Sequence, residues 1–354
     1  MSEKEIVSKF AKAQDSLVVQ QSDFSLTTIA NMVENNSIDI APHYQRRDRW
    51  SDDKQSALIE SFLLNVPVPP VYLSEDDYGR YSVIDGKQRI TAIFEFLNGE
   101  LKLKNLKEFT NLNGVTFFDL PQQLKNVLSV RPFIRVITLL KQSDPELKYE
   151  VFLRLNTGGE TLKRQEVRNV AYSGKFNNLL LELSENPILT KKLKISSKKS
   201  TAYRNMDDVE HVLRFFTIEK NWRKMGSILS DEMDKFMSSN RNTNPIQFRQ
   251  LFNSSITRCE QLWGEYAFYK PTNESWRTQL ISPLYDAQMV SASMLEDQQI
   301  DILCGKKDIV IDNTRILFEE NHEFVKSITQ STNNPASIRY RVSTLYKMLT
   351  DLAN

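Results

Sequence analysis

The fold is decided by residues 80–97, which have the sequence R-Y-S-V-I-D-G-K-Q-R-I-T-A-I-F-E-F-L. The run 81–84 is short and β-branched, which predicts a strand. In residues 90–97 the apolar side chains recur at helical spacing, which predicts a helix directly after the strand. The polar residues 85–89 therefore occupy a strand-to-helix turn.

This turn has the features of an anion-binding site. The first N–H groups of a helix have no intrahelical partner, and the helix dipole is positive there. Gly86 permits a sharp turn or the close approach of a ligand, and Arg89 offers a planar fork of donors that suits phosphate. Asp85 could hold a ribose hydroxyl or a metal-bound water. The alternative is a purely structural turn, in which Asp85 caps the helix and Arg89 pairs with a surface carboxylate.

The composition is that of a globular chain without an overall charge bias. Among 354 residues, 46 basic residues nearly balance 45 acidic ones, so any contact with nucleic acid has to come from a local patch. The N-terminus lacks the pattern of a signal peptide, and no apolar run approaches the length of a membrane span. Two distant cysteines and three histidines argue against a structural zinc or a multi-histidine metal centre. We therefore expect a cytoplasmic protein without a membrane partner.

The order of periodic segments predicts two domains and an α+β fold class. Residues 1–20 have the pattern of a polar helix or arm. Residues 21–175 alternate strand and helix signals, with strand-like runs at 114–118 and 134–140, and predict a mixed α/β domain. Residues 176–354 carry helical periodicity with almost no strand signal, so we expect an all-α domain there.

Two further polar clusters accompany the turn in the predicted α/β domain. Residues 44–50, Y-Q-R-R-D-R-W, combine three arginines with two aromatic residues, which could bind phosphate and stack a base. Residues 154–160, R-L-N-T-G-G-E, contain a glycine pair that could approach a phosphate, but they lack the ending of a Walker A loop. Each cluster also has a structural interpretation, with Trp50 as a core anchor and the glycine pair as the end of a helix. The polar residues 165–169 could equally be a solvated helix face.

These elements, taken in order, resemble one family. The turn V-I-D-G-K-Q-R-I-T-A-I at residues 83–93, with Y-Q-R-x-x-x-W upstream, resembles the D-G-Q-Q-R motif family. That family includes the N-terminal domain of the GmrSD-type modification-dependent restriction enzymes. The runs 152–170 and 204–216 are also similar to it, so the resemblance extends from residue 25 to at least residue 220. It implies a ParB/sulfiredoxin-like fold for the α/β domain.

The resemblance implies a nucleoside triphosphatase or nucleotide sensor of bacterial defence against foreign DNA. It assigns Asp85, Gln88 and Arg89 to catalysis, and Asp85 also to Mg²⁺. We expect nucleotide binding at eight positions, of which all but Lys87 and Thr91 match the family's motifs: Gln45, Arg46, Gly86, Lys87, Thr91, Arg154, Asn156 and Gly158. Lys87 stands where the family signature has glutamine, which replaces a neutral amide with a charged donor that could strengthen phosphate binding.

We therefore expect an NTP-binding and NTP-hydrolysing regulatory component of an anti-phage or modification-dependent restriction system, with Mg²⁺ as cofactor and DNA as a partner. Many relatives have an HNH-type nuclease, fused or separate. His322 has no second histidine nearby, so we expect a separate nuclease or toxin partner. One alternative is a non-catalytic DNA-binding adaptor, in which the same polar clusters hold backbone phosphates. The basic run 191–204 is a candidate DNA-backbone patch or merely a solvated loop. The other alternative is a DNA nickase, which the lack of an evident cluster of metal ligands disfavours.

Overall fold

The computed structural model describes residues 3–40, 50–155, 163–198, 200–272 and 275–354. The chain divides into two compact units, Met1–Ala171 and Tyr172–Asn354. A mixed β-sheet lies in the first unit and most helices of the chain lie in the second, which confirms the α+β fold class.

The first unit contains seven helices and five strands among its described residues. In chain order these are α1 (Glu3–Ser16), β1 (Val19–Ser25), α2 (Leu26–Glu34), β2 (Ile38–Asp39), α3 (Asp52–Leu63), β3 (Val71–Asp77), β4 (Arg80–Asp85), α4 (Lys87–Leu97), α5 (Gln122–Val130), β5 (Phe133–Leu139), α6 (Pro145–Leu155) and α7 (Arg164–Ala171). Two short 3₁₀ turns, Thr110–Leu112 and Phe117–Asp119, lie between α4 and α5.

The five strands form one mixed sheet with the order β1-β5-β3-β4-β2. The β1–β5 and β3–β4 pairs are antiparallel, whereas the β5–β3 and β4–β2 pairs are parallel. Leu73 lies opposite Val83, and Val71 lies opposite Val136, so buried apolar residues of three strands meet in the middle of the sheet. β3 is the central strand, and its neighbour β4 leads directly into the turn before α4.

α4 is held in place by its apolar face. Ile90, Ile93 and Phe96 are buried in the core of the first unit, and the helix packs against α2 and α3. Each such side chain contributes about 1.5–3 kcal/mol when it is fully buried. The predicted strand and helix around the turn are thereby confirmed as β4 and α4, and the helix begins at Lys87.

Two local predictions in this unit were wrong. The strand-like run 114–118 forms no strand, because Asp119 accepts hydrogen bonds from the Thr116 N–H (3.1 Å) and hydroxyl (2.6 Å) and closes a 3₁₀ turn. The edge strand β1 was not predicted, because its sequence V-Q-Q-S-D-F-S is mainly polar and exposed. Pairing with β5, rather than hydrophobic alternation, makes it a strand.

The second unit contains eleven helices and two strands among its described residues. They are α8 (Lys175–Ser184), α9 (Pro187–Lys192), α10 (Thr201–Arg204), α11 (Asp207–Asn221), α12 (Leu229–Asn240), α13 (Ile246–Trp263), β6 (Tyr269–Pro271), β7 (Trp276–Leu280), α14 (Ser282–Met294), α15 (Asp297–Gly305), α16 (Lys307–Glu320), α17 (His322–Thr329) and α18 (Pro335–Ala353). A 3₁₀ turn, Gly264–Tyr266, precedes β6. The unit is helical as expected, apart from the antiparallel β6–β7 pair, which was not predicted.

A charged cluster is buried between three helices of this unit. Asp286 on α14 accepts hydrogen bonds from Arg214 Nε (3.1 Å) and Nη2 (2.6 Å) on α11. Arg341 on α18 donates to the same carboxylate through Nη2 at 2.6 Å, and to the carbonyl of Thr332 through Nη1 at 2.6 Å. Burial alone would raise the pKa of Asp286, but the two guanidiniums outweigh it and hold this pKa below its ordinary value.

Candidate functional site

The turn between β4 and α4 has a backbone that only glycine accepts easily. Gly86 is the N-cap residue of α4, and its φ of +93° lies in the left-handed region. A Cβ at this position would lie 2.8 Å from Val71 Cγ2 and 3.0 Å from Arg89 Nη2. Two features therefore favour glycine at position 86: the left-handed backbone angle, and the close approach of the Val71 and Arg89 side chains.

Arg89 folds back over Gly86 and binds Asp85. Its Nη2 donates to Asp85 Oδ2 at 2.6 Å and to the carbonyl of Pro70 at 3.1 Å. The Arg89 side chain is 14% exposed, whereas that of Asp85 is 41% exposed. Among the described residues, no acceptor lies within hydrogen-bonding distance of the buried Arg89 Nε. The turn thus holds a guanidinium and a solvent-accessible carboxylate side by side.

Gln88 connects the turn to the residue that follows the arginine-rich run. Its side-chain Oε1 accepts a hydrogen bond from the backbone N–H of Trp50 at 2.9 Å. Trp50 itself is partly buried and packs against the core of the first unit. This geometry gives Gln88 a positioning contact and agrees with the interpretation of Trp50 as a core anchor.

The other predicted site residues are distributed unevenly. Lys87 is half-buried at the first position of α4, and Thr91 is buried one turn further along the helix. Arg154 is exposed on α6, where its Nη2 lies 3.5 Å from Glu150 Oε2. Four predicted positions lie outside the described residues: Gln45, Arg46, Asn156 and Gly158.

A polar network on α7 was underestimated from the sequence. The alternative of a solvated face for residues 165–169 was wrong, because all their side chains are buried. Gln165 Nε2 donates to Asn169 Oδ1 at 2.9 Å, and Arg168 Nη1 donates to Gln165 Oε1 at 3.2 Å. Glu166 accepts from the Lys163 N–H at 2.7 Å at the start of the helix. No sequence signal distinguishes this buried network from a solvated polar face, because both have the same pattern of polar residues.

The described residues form no metal site with several protein ligands. Among them, no group of three or more His, Cys, Asp or Glu side chains is placed to hold an ion. Mg²⁺ needs less protein, because it keeps several waters and is commonly bound through one or two carboxylates and substrate phosphates. Asp85 is exposed enough to serve as such a carboxylate.

Comparison with known proteins bears on the first unit. Residues 29–173 match the family model of the GmrSD restriction endonuclease, N-terminal domain. The match supports a GmrSD-like N-terminal domain in this part of the chain and suggests a component of a restriction system. No curated protein and no solved structure matches the chain.

The GmrSD-like region contains most of the sheet, the complete β4–α4 turn and all of α7. The turn and the α7 network therefore belong to the segment that carries the family signal. Among the described helices of the whole chain, none combines the length and apolar character that crossing a membrane requires.

Proposed function

We propose that this chain is an NTP-binding and NTP-hydrolysing regulatory component of a bacterial anti-phage or modification-dependent restriction system. We further propose that its first unit is of the ParB/sulfiredoxin-like type. The observation that carries the proposal is the Asp85–Arg89 pair at the N-terminus of α4, inside the GmrSD-like region.

The turn is suited to a triphosphate for electrostatic reasons. The positive end of the α4 dipole and the Arg89 guanidinium lie at the same point of the chain, and Lys87 adds a second cation. Gly86 has no side chain that could occupy the helix N-terminus, so an approaching phosphate would displace no capping group. The buried Arg89 Nε provides a further donor in this turn.

Asp85 complements these cations with a carboxylate for Mg²⁺. A magnesium–nucleotide complex has a cation next to anionic phosphates. The cation would face the Asp85 carboxylate and the phosphates would face the Arg89 guanidinium, which lies 2.6 Å from that carboxylate. When bound, Mg²⁺ would supply charge neutralisation on the phosphates and polarisation of the bond to be cleaved. Asp85 would orient the hydrated cation, and Arg89 would stabilise negative charge on the phosphates.

Gln88 and the α7 network would act on this site by positioning. Gln88 fixes the start of the chain after the arginine-rich run, which contains the proposed ligands Gln45 and Arg46. Further nucleotide ligands in this proposal are Thr91, which follows the turn on α4, and three residues that precede α7 in the chain: Arg154, Asn156 and Gly158. A separate nuclease or toxin, or DNA itself, would respond to the nucleotide state.

The test is nucleotide binding by calorimetry and phosphate release with Mg²⁺, for a panel of NTPs, in the wild type, Asp85→Asn and Arg89→Ala. We expect both variants to lose phosphate release, and Arg89→Ala to weaken binding by at least about tenfold. Arg135→Ala is the matched control, because Arg135 forms a comparable two-bond pair with Asp23 (both distances 3.0 Å) on the exposed sheet edge. Wild-type binding and turnover in Arg89→Ala would refute the proposal.

The alternative of a DNA-binding adaptor is favoured by one observation, the run of residues 187–206 in the second unit, which has six basic residues and no acidic residue. It predicts DNA affinity without any nucleotide requirement. Absence of nucleotide binding in the wild type, together with salt-sensitive DNA binding, would select this alternative.

A further inference from the structure

The second unit carries a segment with a strong local charge bias. Residues 187–206 contain six basic residues and no acidic residue, although the whole chain has a formal net charge of only +1. Lys191, Lys194 and Lys198 are exposed. Lys191, Lys194 and Lys198 take no part in the ion pairs that the structure describes in this unit, which use Arg214, Lys235, Arg249, Arg258, Lys326 and Arg341.

This basic segment is attached to the β6–β7 pair at two points. Lys192 is buried, and its ammonium donates to the carbonyl of Glu265 at 2.6 Å and lies 4.2 Å from the centre of the Tyr269 ring. Desolvation lowers the pKa of Lys192 to about 8, as expected for an anchoring rather than a solvated lysine. Lys194 Nζ donates to Thr278 Oγ1 on β7 at 3.3 Å. The segment is therefore held on a fixed support.

The strand that supports Lys194 is itself packed in place. Thr278, which Lys194 contacts, lies on β7 two residues after Trp276. Trp276 is mostly buried and stacks on Tyr266, with ring centres 4.9 Å apart and planes at 22°. This stacked pair fixes the base of the strand, so Lys194 is held against a rigid element.

The surface is basic and polar but not apolar. In the described parts of residues 187–206 and 266–281, no large hydrophobic side chain is exposed. An interfacial membrane segment would need such side chains as anchors, and so would most apolar protein interfaces. Exposed lysines on a rigid support instead match a polyanion with regularly spaced charges.

We propose that the basic segment, through Lys191, Lys194 and Lys198, forms a surface that binds the phosphate backbone of duplex DNA. The choice of DNA among polyanions rests on the proposed restriction role. The surface contacts phosphates and therefore binds without sequence preference. It belongs to the second unit, whereas the proposed nucleotide site belongs to the first, so the two proposals can fail separately.

The test measures the affinity of the full chain for three fluorescein-labelled 30-base-pair duplexes of unrelated sequence, by anisotropy at several salt concentrations. The variant is Lys191→Gln/Lys198→Gln, which spares Lys194 because that residue has a left-handed backbone (φ 56°) and a structural hydrogen bond. Losing two phosphate contacts should reduce the slope of log K against log salt by about 2, and the affinity roughly 60-fold at 0.1 M salt. All three duplexes should be affected equally.

The matched control is Lys220→Gln/Lys224→Gln, which removes the same charge from two other exposed lysines. Lys220 lies at the end of α11, and Lys224 lies just after it. It should keep wild-type affinity and slope. Equal losses in both variants, an unchanged slope in the first variant, or no duplex binding by the wild type would each overturn the proposal. Nucleotide titrations of the same variants should match the wild type, and their result bears only on the first unit.

Discussion

Two arginine–aspartate arrangements in this protein have the same shortest distance and opposite surroundings. In the first unit, Arg89 and Asp85 lie four residues apart on one turn, and Asp85 is 41% exposed. In the second unit, Asp286 is completely buried and is bound by Arg214 and Arg341, which lie far from it in sequence. The shortest N–O distance is 2.6 Å in both.

The difference in burial decides what each arrangement can do. A charge pair in a low-dielectric interior cannot exchange its partner for water, so the Asp286 cluster fastens α11, α14 and α18 together. The Asp85 carboxylate is close to solvent, and therefore can trade part of its interaction with Arg89 for a cation. A buried pair of this kind serves the fold, and a half-exposed one is available for ligand chemistry.

The largest expected effect comes from breaking the buried cluster. Asp286→Asn should destabilise the second unit by about 3–5 kcal/mol, because two buried guanidiniums lose their counter-charge. Urea unfolding followed by tryptophan fluorescence reports on this unit, since three of the four tryptophans, Trp222, Trp263 and Trp276, belong to it. Asp23→Asn on the exposed sheet edge is the control and should leave the unfolding midpoint nearly unchanged, because water screens an exposed ion pair.

The pH dependence of unfolding separates the charge of Asp286 from its shape. The pKa of Asp286 is depressed in the folded state, so its stabilisation is complete above its ordinary value of 3.8 and is lost as pH falls through the folded pKa. Burial also lowers the pKa of His211. Its contribution to stability is therefore lost as pH falls below its ordinary pKa of 6.5, which is a higher pH range than that of Asp286. Asp286→Asn should reduce the loss in the lower part of this profile, to which other carboxyls with a depressed pKa, such as Glu182 and Glu232, still contribute; an unchanged lower part would contradict a structural role of the charge.

A smaller effect is expected from replacing Gly86 in the turn between β4 and α4, and Gly79 in the turn between β3 and β4 is its control. Gly86→Ala should cost roughly 3 kcal/mol, from its left-handed backbone together with the clash against Val71 and Arg89. Gly79→Ala has a similar φ of +76° but nothing within 4 Å of the new Cβ, so it should cost only about 1–2 kcal/mol. Chemical denaturation of both variants gives the difference. Equal costs would show that Arg89 does not pack over Gly86 as described.

The smallest effect concerns the link from the turn to Trp50. Gln88→Ala should cost about 1 kcal/mol and speed hydrogen exchange of the Trp50 amide, which loses its acceptor. Gln88→Glu keeps an acceptor oxygen and should retain the protection. If the Trp50 amide exchanges equally in both variants and the wild type, the positioning role of Gln88 is wrong.

Much of the first unit could be predicted from local patterns. The strand, glycine turn and helix at residues 80–97 are confirmed, because each depends on neighbours in the chain. The prediction for residues 114–118 was wrong, since the capping contact between Thr116 and Asp119 outweighs a short β-prone run. The edge strand β1 was missed because its partner β5 lies more than 100 residues away and its own pattern is polar.

The candidate site was predicted less completely than the fold. Its composition is visible in the sequence, including Asp85, Gly86 and Arg89. The partners are not, because the carbonyl of Pro70 and the amide of Trp50 reach the turn only through folding. The burial of residues 165–169 was equally invisible, since a polar helix face has the same pattern in solvent and in a network.

The sequence by itself therefore determined where the chain turns from strand to helix and that this turn carries a glycine, a carboxylate and a guanidinium. Only the tertiary structure decided that Arg89 folds over Gly86 and donates a hydrogen bond to Asp85, and that Asp286 is bound by two arginines. The physical reason is range. Backbone preferences and hydrophobic periodicity act between neighbours in sequence, whereas burial and charge pairing depend on groups that only the folded chain brings together.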